Sequence, residues 1–599
     1  MSEWAQIVRG RLEGDKVIWM IALILSVVSL LSVYSAISSL AYKANGNFLY
    51  FFLKQGSFLL LGLAVMYVVH KIHYKYFARL ANFILAFVMK RVIFLFFLLN
   101  YFNLLSQIQT VGLFTNDAQS FKGYTLFSPN SNTYLIDNCG KLINSWNSNY
   151  NAGSSVYLLE NGSLLRACRI QNPIFNAGGS GGRIEKTDWY GNLEWSYNFS
   201  DSLYHQHHDI APLKNGNILV LCWEYKSLNE AVDAGRDPNT INDNELWSTY
   251  ILEVEPIGND SINIIWEWRL WDHLIQDFDS TKQNFGVISQ NPQRLDINYY
   301  FGNGKNDWLH CNSIDYNEDL DQIVIGSRAL SELYIIDHST TTNEASSSLG
   351  GNSNKGGDFL YRWGNPQAYD AANVDQKLFG QHDVHWIDDD YLDGGKLLIF
   401  NNGKQRGYSS VDIVNPAIDS NGSYIIDSLN MFQPLNADWI YTSSPQQNFY
   451  SSYISGSQRL ANGNTLICDG AHGNFFEIDA QDNIVWRYVN PVLNTYILSQ
   501  GDSIPVTQNG FGNSVFRCTR YPIDYSGFAG IDMTPSYPIE LNPIPDSCTM
   551  ITSIFTEISN DKELIKVVDL MGRNTKIKHS TILFYIYSDG TVEKTFKIF

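Results

Sequence analysis

The chain has 599 residues and a formal net charge of −19, with 41 Lys and Arg against 60 Asp and Glu. This length exceeds one ordinary domain, and the acidic balance argues against nucleic acid as a partner, because phosphate binding needs a basic face. Aromatic residues make up 14% of the chain and glycines number 44, a composition typical of β-sheet proteins and unlike that of disordered or coiled-coil chains.

The first hundred residues are far more apolar than the rest. Residues 17–38 form an uncharged apolar run, and residues 48–69 form a second run that contains Lys54 and Gln55. Such runs are typical of transmembrane helices, and the basic residues that flank the pair predict that both flanks are cytoplasmic. We therefore predict a two-helix membrane fragment over residues 1–88.

Residues 89–109 allow two interpretations. Lys90 and Arg91 interrupt the apolar stretch 80–105 near its middle, where charges are costly in a bilayer. If the segment instead begins at Met89, the basic pair precedes a purely apolar run, which is the layout of a secretory signal peptide. A third transmembrane span and a signal peptide both predict that the residues beyond about 110 lie outside the cytoplasm, in the periplasm, at the cell surface or secreted. If it is retained, the N-terminal segment would lie in the inner membrane.

The run from Gly14 to Ser35, with Val17-Ile18-Trp19 near its start, resembles the beginning of the SEDS family of peptidoglycan polymerases. The resemblance covers about residues 1–85. Members of that family are many-helix membrane proteins whose catalytic loop lies beyond such a fragment. The resemblance therefore implies a membrane fragment without polymerase activity. We interpret the chain as a fusion, either natural or created by an error in the gene model, in which Met89 starts a secreted protein.

From residue 110 to about 500 the sequence alternates short strands and turns. Apolar runs of four to eight residues end at Asn-Gly, Gly-Asn or Asp-Gly pairs, which are turn signals. Six repeating units begin near residues 124, 156, 208, 310, 382 and 457. Repeats of this length with several strands each predict an all-β fold, a six-bladed β-propeller over residues 110–500 whose leading strands line a central channel. A β-sandwich is the alternative.

Three of the six units open with a histidine, in the phrases His208-Asp209-Ile210, His310-Cys311-Asn312 and His382-Asp383-Val384. Since the leading strands of a propeller converge on its axis, we expect these histidines to lie around one channel mouth.

Residues 120–495 resemble the bacterial arylsulfate sulfotransferases, which are six-bladed propellers. The likeness lies in four phrases: Gln206-His207-His208-Asp209, Asp307 to Ile314, Ile325-Gly326-Ser327-Arg328 and Gln381-His382-Asp383. The resemblance implies ping-pong transfer of a sulfuryl group from an arylsulfate to a phenol without a nucleotide donor. Both substrates would be small molecules, and no cofactor is implied.

By this resemblance His382 is the nucleophile that becomes transiently sulfated. His208, His310 and Arg328 would stabilise the sulfuryl group and assist the leaving phenol, and the eighteen residues from His310 to Arg328 fit the family's pair. These residue types suit the chemistry, because arginine and histidine stabilise a sulfuryl group without a metal and neutral imidazole is a competent nucleophile. His207 competes with His208 for its role.

Three residues are candidate substrate-binding groups: Asn312, His207 and His472. Trp308, Trp386 and Phe379 lie near the motifs and are candidates to hold a phenolic ring.

Two other functions stay open: a propeller that binds a ligand without catalysis, and a metal- or quinone-dependent enzyme. His205, His207, His208 and Asp209 form a set that suits a transition metal, although we predict no metal site. A homodimer is also open, because the family that the sequence resembles includes dimers. The seven cysteines include no CxxC pair, so we expect mostly buried thiols and at most one or two disulfides.

We predict a linker over residues 501–544 and a small β domain over residues 545–599. The phrases from Lys566 to Arg573 and from Phe584 to Lys594 resemble the C-terminal sorting domain of the type IX secretion pathway. This resemblance implies passage across the outer membrane. A terminal β domain without a sorting role is the alternative.

Overall fold

The computed structural model describes ten parts of the chain: residues 15–43, 48–76, 109–299, 306–371, 375–507, 510–544, 548, 564–568, 582–587 and 592–596. The chain divides into two compact units, Met1–Ser106 and Gln107–Phe599.

The first unit contains two helices where the two apolar runs occur, Lys16–Lys43 and Phe48–His70. Within the described residues, however, no helix is sufficiently long and apolar to cross a membrane. The predicted transmembrane helices are therefore not supported. The two interpretations of residues 89–109 stay untested, because the described residues resume only at Gln109.

The second unit contains the predicted six-bladed propeller, built from six antiparallel sheets, of which five have four strands and blade 6 has a fifth. From the innermost strand outwards, the strands are as follows: blade 1, Cys518–Pro522, Gly123–Phe127, Asn132–Ile136 and Leu142–Asn147; blade 2, Ala152–Leu158, Leu164–Arg169, Gly182–Thr187 and Leu193–Asn198; blade 3, Tyr204–Pro212, Ile218–Ser227, Glu245–Ile257 and Ser261–Arg269; blade 4, Cys311–Asn317, Gln322–Ser327, Glu332–Asp337 and Tyr361–Trp363; blade 5, His382–Trp386, Leu397–Asn401, Ser410–Val414 and Trp439–Tyr441; blade 6, Gly456–Arg459, Thr465–Asp469, Asn474–Ile478 and Ile484–Val489.

Shorter elements lie in the loops and the tail. The described helical turns are Leu228–Asp233, Pro238–Thr240, Leu270–His273, Ile288–Gln290, Thr342–Ala345, Pro366–Tyr369, Gln446–Asn448, Gly470–His472 and Ser526–Phe528. Two small ladders pair Leu274–Ile275 with Leu295–Asp296 and Val506–Thr507 with Gly510–Phe511. In the tail, a three-stranded antiparallel sheet comprises Leu564–Val568, Ile582–Tyr587 and Val592–Phe596.

The core lies between neighbouring blades, as the second strand of blade 4 illustrates. Ile323 and Ile325 belong to the apolar cluster shared with blade 3, whereas Val324 between them belongs to the cluster shared with blade 5. Side chains alternate between the two faces of a strand, so a strand buried on both faces is apolar throughout. This explains why the blades appear in the sequence as continuous apolar runs.

The ring is closed by strands from both ends of the propeller sequence. Gly112–Asn116 adds a fifth strand to the outer edge of blade 6, and Cys518–Pro522 forms the inner strand of blade 1. The prediction of a linker over residues 501–544 is therefore wrong, because this segment supplies a strand of the propeller. The unit near residue 124 likewise begins with the second strand of its blade. Pairing across so long a separation leaves no local pattern in the sequence.

A buried ion pair joins blade 1 to blade 6 where the ring closes. Arg520 in the inner strand of blade 1 lies 2.5 Å from the Glu477 carboxylate in blade 6, and neither side chain is exposed. The Arg520 guanidinium also lies 4.1 Å from the centre of the Trp486 ring.

Replacing Arg520 with methionine is expected to lower the free energy of unfolding by about 3–5 kcal/mol, because the Glu477 carboxylate would stay buried without its partner. Urea denaturation measures the loss. The double variant Arg520→Met/Glu477→Leu should recover most of it, since no charge is then buried. A loss no larger than that of Lys214→Met, which disrupts an exposed ion pair with Glu318, would contradict this role of Arg520.

One disulfide joins Cys139, in a turn of blade 1, to Cys548. The other five cysteines are free and buried. This agrees with the expectation of mostly buried thiols and at most one or two disulfides.

Candidate active site

The inner strands of blades 3, 4 and 5 are kinked where the histidine phrases lie. His208 and His310 have positive φ angles of 51° and 46°, and in blade 5 the positive angle, 55°, belongs to Asp383. The pairing register shifts at the same three places. Non-glycine residues seldom adopt this conformation, and such local strain concentrates at functional sites. The three phrases are therefore similar in sequence but offset by one residue in blade 5.

The structure brings together the four predicted catalytic residues, His208, His310, His382 and Arg328. The rings of His208 and His310 lie 4.6 Å apart between centroids. Burial, together with His310, His207, His382 and Arg328, lowers the pKa of His208 well below its ordinary value. Burial, Arg328 and His310 do the same to the pKa of His382. Both imidazoles are thus neutral at pH 7.

The fixed spacing between His310 and Arg328 follows from a hairpin. Arg328 directly follows the second strand of blade 4, and its backbone N–H donates to the His310 carbonyl at 3.2 Å. Its side chain runs past Gly380, where a Cβ atom would lie 3.8 Å from the Arg328 Cγ. Within the described residues no carboxylate forms an ion pair with this guanidinium. A half-buried cation of this kind favours an anionic ligand.

Asp307 orients His310. Its carboxylate lies 2.5 Å from the His310 Nδ1 atom and accepts a 2.9 Å hydrogen bond from the Trp223 indole. Burial alone would raise the pKa of Asp307, but His310, His207 and Trp223 outweigh burial and hold this pKa below its usual value. The ionised carboxylate fixes the proton on Nδ1 of His310 and leaves Nε2 for proton exchange.

Asn402, which the sequence did not single out, orients His382. The Asn402 amide nitrogen donates to the carbonyls of Ser451 and Ile454 at 2.7 and 2.9 Å. Its oxygen therefore faces the Nδ1 atom of His382, at 2.7 Å. Because this oxygen can only accept, the proton resides on Nδ1 and the lone pair of Nε2 is free.

Replacing Asn402 with alanine is expected to lower kcat about 10- to 100-fold with little change in KM, because the tautomer of His382 is no longer held. Steady-state kinetics with an arylsulfate donor measure kcat and KM separately. Asn401→Ala is the matched control, since Asn401 is equally buried but bonds Asp412 and the Lys377 carbonyl. Equal losses of kcat per folded molecule in both variants would contradict a role for the Asn402 oxygen.

The lowered pKa of His382 predicts the acid limb of the pH profile. A group with a lowered pKa stays neutral at pH values below the ordinary imidazole value of about 6.5. We therefore expect kcat/KM to persist as the pH falls from 7 to 6, and its acid limb to lie well below 6.5. A profile that halves near pH 6.5 would show that the nucleophile titrates as an exposed histidine does.

His207 packs against His208 and Trp223. It is fully buried, its ring stacks on Trp223 at 4.2 Å, and its Nδ1 atom lies 2.9 Å from the Nδ1 atom of His208. Of the two adjacent histidines, the structure thus places His208 beside His310, and His207 contacts His208.

The other candidate binding residues have different surroundings. Asn312 is fully buried and donates to the carbonyl of Gln381, the residue before His382, at 2.8 Å. His472 pairs with Asp469 at 2.8 Å and contacts the Phe511 ring, away from the four-residue cluster. Of the aromatic candidates, Trp308 and Trp386 belong to the core between blades.

The alternative metal set does not converge. His205 lies between the hydroxyls of Ser180 and Ser200, at 2.9 and 2.8 Å, and Asp209 pairs with Arg517 at 3.0 Å. Within the described parts of the chain, no group of three or more His, Cys, Asp and Glu side chains is arranged to hold a metal ion.

Arg517 is a further residue that the sequence did not single out. Its guanidinium lies 3.0 Å from Asp209 and 2.8 Å from Asp383, the residues that directly follow His208 and His382. These two carboxylates outweigh the effect of burial and raise the pKa of Arg517 well above its usual value. The segment once expected to be a linker therefore ties two of the kinked strands together.

A glycine-rich turn, residues 178–182, makes room for His208. A Cβ atom on Gly179 would lie 2.0 Å from the imidazole Cε1 atom of His208, and the φ angle of Gly179 is +82°. Only glycine meets both conditions. Beside His208 a cavity of about 180 Å³ opens, lined by Ser128, Pro129, Ala152, Ser154, Arg169, Gly179, His208, Ile454, Ser514 and Phe516.

The fold and this cluster define a six-bladed propeller with a histidine and arginine site at the ends of its inner strands. A family model described as Arylsulfotransferase (ASST) matches residues 114–496, more than half of the chain. The protein belongs to this family, which confirms the resemblance stated for residues 120–495. The match covers neither the SEDS-like segment nor the tail, so those two resemblances stay predictions.

Several solved structures are similar over most of the propeller. One is a protein of unknown function from Bacteroides caccae, with 11% identity, 67% of this chain and 99% of that chain covered, and a TM-score of 0.35. Another is a putative 6-phosphogluconolactonase from Bacteroides fragilis, with 9% identity, 67% and 99% covered, and a TM-score of 0.33. At these values neither likeness carries an argument about function. No curated protein matches the chain significantly.

Proposed function

We propose that the protein is an arylsulfate sulfotransferase that moves a sulfuryl group from an arylsulfate to a phenol through a sulfated His382. The observation that carries the proposal is the convergence of three imidazoles on Arg328, a guanidinium without an ion-pair partner among the described residues. Family membership supports small-molecule sulfate donors and acceptors.

In the first half-reaction the lone pair on Nε2 of His382 attacks the sulfur atom of the donor. An N–S bond forms, the S–O bond to the aryl group breaks, and the aryl oxygen takes a proton from Nε2 of His310. Asp307 stabilises the imidazolium form of His310 before this transfer. Arg328 and His208 bind the sulfuryl oxygens, whose charge is spread in a loose transition state.

In the second half-reaction a phenol replaces the released product. Nε2 of His310 removes the phenolic proton as the phenol oxygen attacks sulfur, and the N–S bond to His382 breaks. Atoms and charges balance without a nucleotide or a metal. His382 returns to its neutral form, which burial and the nearby Arg328 guanidinium favour, with its proton on the Nδ1 atom that faces Asn402.

Initial rates with a chromogenic arylsulfate and a phenol test the proposal. We expect parallel double-reciprocal lines and, with the donor alone, an acid-labile sulfuryl label on His382. Binding of arylsulfate without any transfer would favour a non-catalytic propeller. Transfer that a chelator abolishes and one metal restores would favour a metal-dependent enzyme.

We also propose that the propeller functions outside the cytoplasm. The disulfide between Cys139 and Cys548 supports this location, because such bonds persist mainly in oxidising compartments. N-terminal sequencing of the mature protein tests it: a start shortly after residue 100 is expected, and a start at Met1 would contradict cleavage of a signal peptide. The type IX sorting role and the homodimer stay predictions.

A further inference from the structure

The cavity beside His208 adjoins the proposed reaction centre. His208 forms part of its wall, and so does Ile454, whose carbonyl accepts a hydrogen bond from the amide that orients His382. The remaining lining residues come from blades 1 and 2 and from the segments that precede the inner strands of blades 1 and 6, across the axis from Arg328. A donor whose sulfuryl group lies among the histidines would extend its aryl group into this cavity.

The size and walls of the cavity suit one aromatic ring. Its volume is about 180 Å³, and a cavity of about 150 Å³ holds benzene. Phe516, Ile454 and Pro129 supply apolar surface. The Phe516 ring lies 6.1 Å from the His208 ring, and the guanidinium of Arg517 lies 5.2 Å from its centre. Phe516 is thus held in place by the residue that also ties the kinked strands together.

Arg169 gives the cavity a charge. It is exposed at the cavity, and its Nε atom donates to the Ser180 carbonyl at 3.2 Å, which leaves the two terminal nitrogens of the guanidinium for a ligand. The cavity lining includes no Asp or Glu, and within the described residues Arg169 forms no ion pair. In a chain with a net charge of −19, a cation without a carboxylate at this place favours anionic ligands.

We propose that Arg169 selects aryl substrates that carry a second anionic group, such as a carboxylate, in addition to the sulfate or phenol that reacts. The sulfuryl group is bound by the histidines and Arg328, the ring by Phe516, and the second anion by Arg169. This inference rests on the proposed function and deepens it, because it names the class of aryl compound.

Two donors that differ in one group test the inference: phenyl sulfate and its 4-carboxy derivative. The wild-type protein is expected to prefer the carboxylated donor in kcat/KM. Arg169→Gln should lower kcat/KM for this donor about 10- to 100-fold, mainly through KM, because one charge-assisted contact is lost. For phenyl sulfate the same variant should behave as wild type.

Arg183→Gln is the matched control, since Arg183 belongs to the same blade but already pairs with Glu185 at 2.8 Å. It should change neither donor's kinetics. Arg169→Glu provides a gain of function: it should favour a donor with a 4-aminomethyl group over the carboxylated donor. Thermal unfolding of each variant shows that it is folded, and Arg169→Lys, which keeps the charge, should retain part of the preference.

Losses of equal size for both donors, or no loss for either, would overturn the inference. A wild-type protein that transfers sulfuryl groups without regard to the carboxylate would overturn it too, while leaving the proposed function intact. A wild-type protein that uses no arylsulfate at all would instead overturn the proposed function.

Discussion

Replacing His382 with alanine is expected to lower kcat for sulfuryl transfer at least about 1000-fold, because the atom proposed to receive the sulfuryl group is removed. The residual rate would come from Arg328 and the other histidines, which still bind the sulfuryl oxygens. Initial rates with a chromogenic arylsulfate measure the loss. The acid-labile label expected on the wild-type protein should be absent.

His472→Ala is the control for this experiment. His472 is a histidine of the same propeller that pairs with Asp469 away from the cluster, and its loss should change kcat less than about twofold. Added imidazole should restore part of the activity of His382→Ala, since it fits the space that the side chain leaves. Full activity in His382→Ala, or a label that persists, would show that another group is the nucleophile.

Replacing Asp307 with asparagine is expected to lower kcat about 100- to 10,000-fold. The Trp223 indole and the backbone N–H of His310 both donate to one oxygen of Asp307, at 2.9 and 3.2 Å. The amide oxygen would keep that position, so the amide nitrogen would face Nδ1 of His310 and donate to it. His310 would then be held neutral, with its proton on Nε2, and could not become the imidazolium that protonates the leaving phenol.

The dependence of the loss in kcat on the pKa of the leaving phenol measures this effect. Loss of acid catalysis should be largest for donors whose phenol has a high pKa and small for nitrophenyl sulfates, which leave without a proton. Asp321→Asn is the matched control, because Asp321 also lies in blade 4 and bonds a histidine, His338, at 2.7 Å, outside the cluster. A uniform loss across all donors would indicate that Asp307 acts only on the structure of the site.

The sequence predicted most of the propeller because the signals of its blades are local. Each blade has its own turns and apolar runs, and the strand Gln322–Ser327 contains the run Ile323-Val324-Ile325 because both its faces are buried. The pair of His310 and Arg328 was also visible, since one hairpin sets their spacing. The inner strand of blade 1 was missed because its partner lies near the other end of the propeller sequence.

The supporting residues of the site were missed for a related reason. Asn402 reaches His382 from the loop after the second strand of blade 5, and Arg517 reaches Asp383 from the segment before the inner strand of blade 1. Neither residue lies in a phrase that resembles the family's motifs. Asp307 lies within such a phrase, but its role depends on the bonds to Trp223 and His310 that folding creates. Gly179 is required only because the His208 ring occupies the place of a side chain.

By itself the sequence determined the class of fold and the number of blades, because each of these is encoded by residues close together in the chain, and it named four candidate catalytic residues. Only the tertiary structure decided which of two adjacent histidines lies beside His310, which groups orient the imidazoles, and how the ring closes. Those features depend on contacts between residues that are distant in the chain and meet only when the six blades surround a common axis.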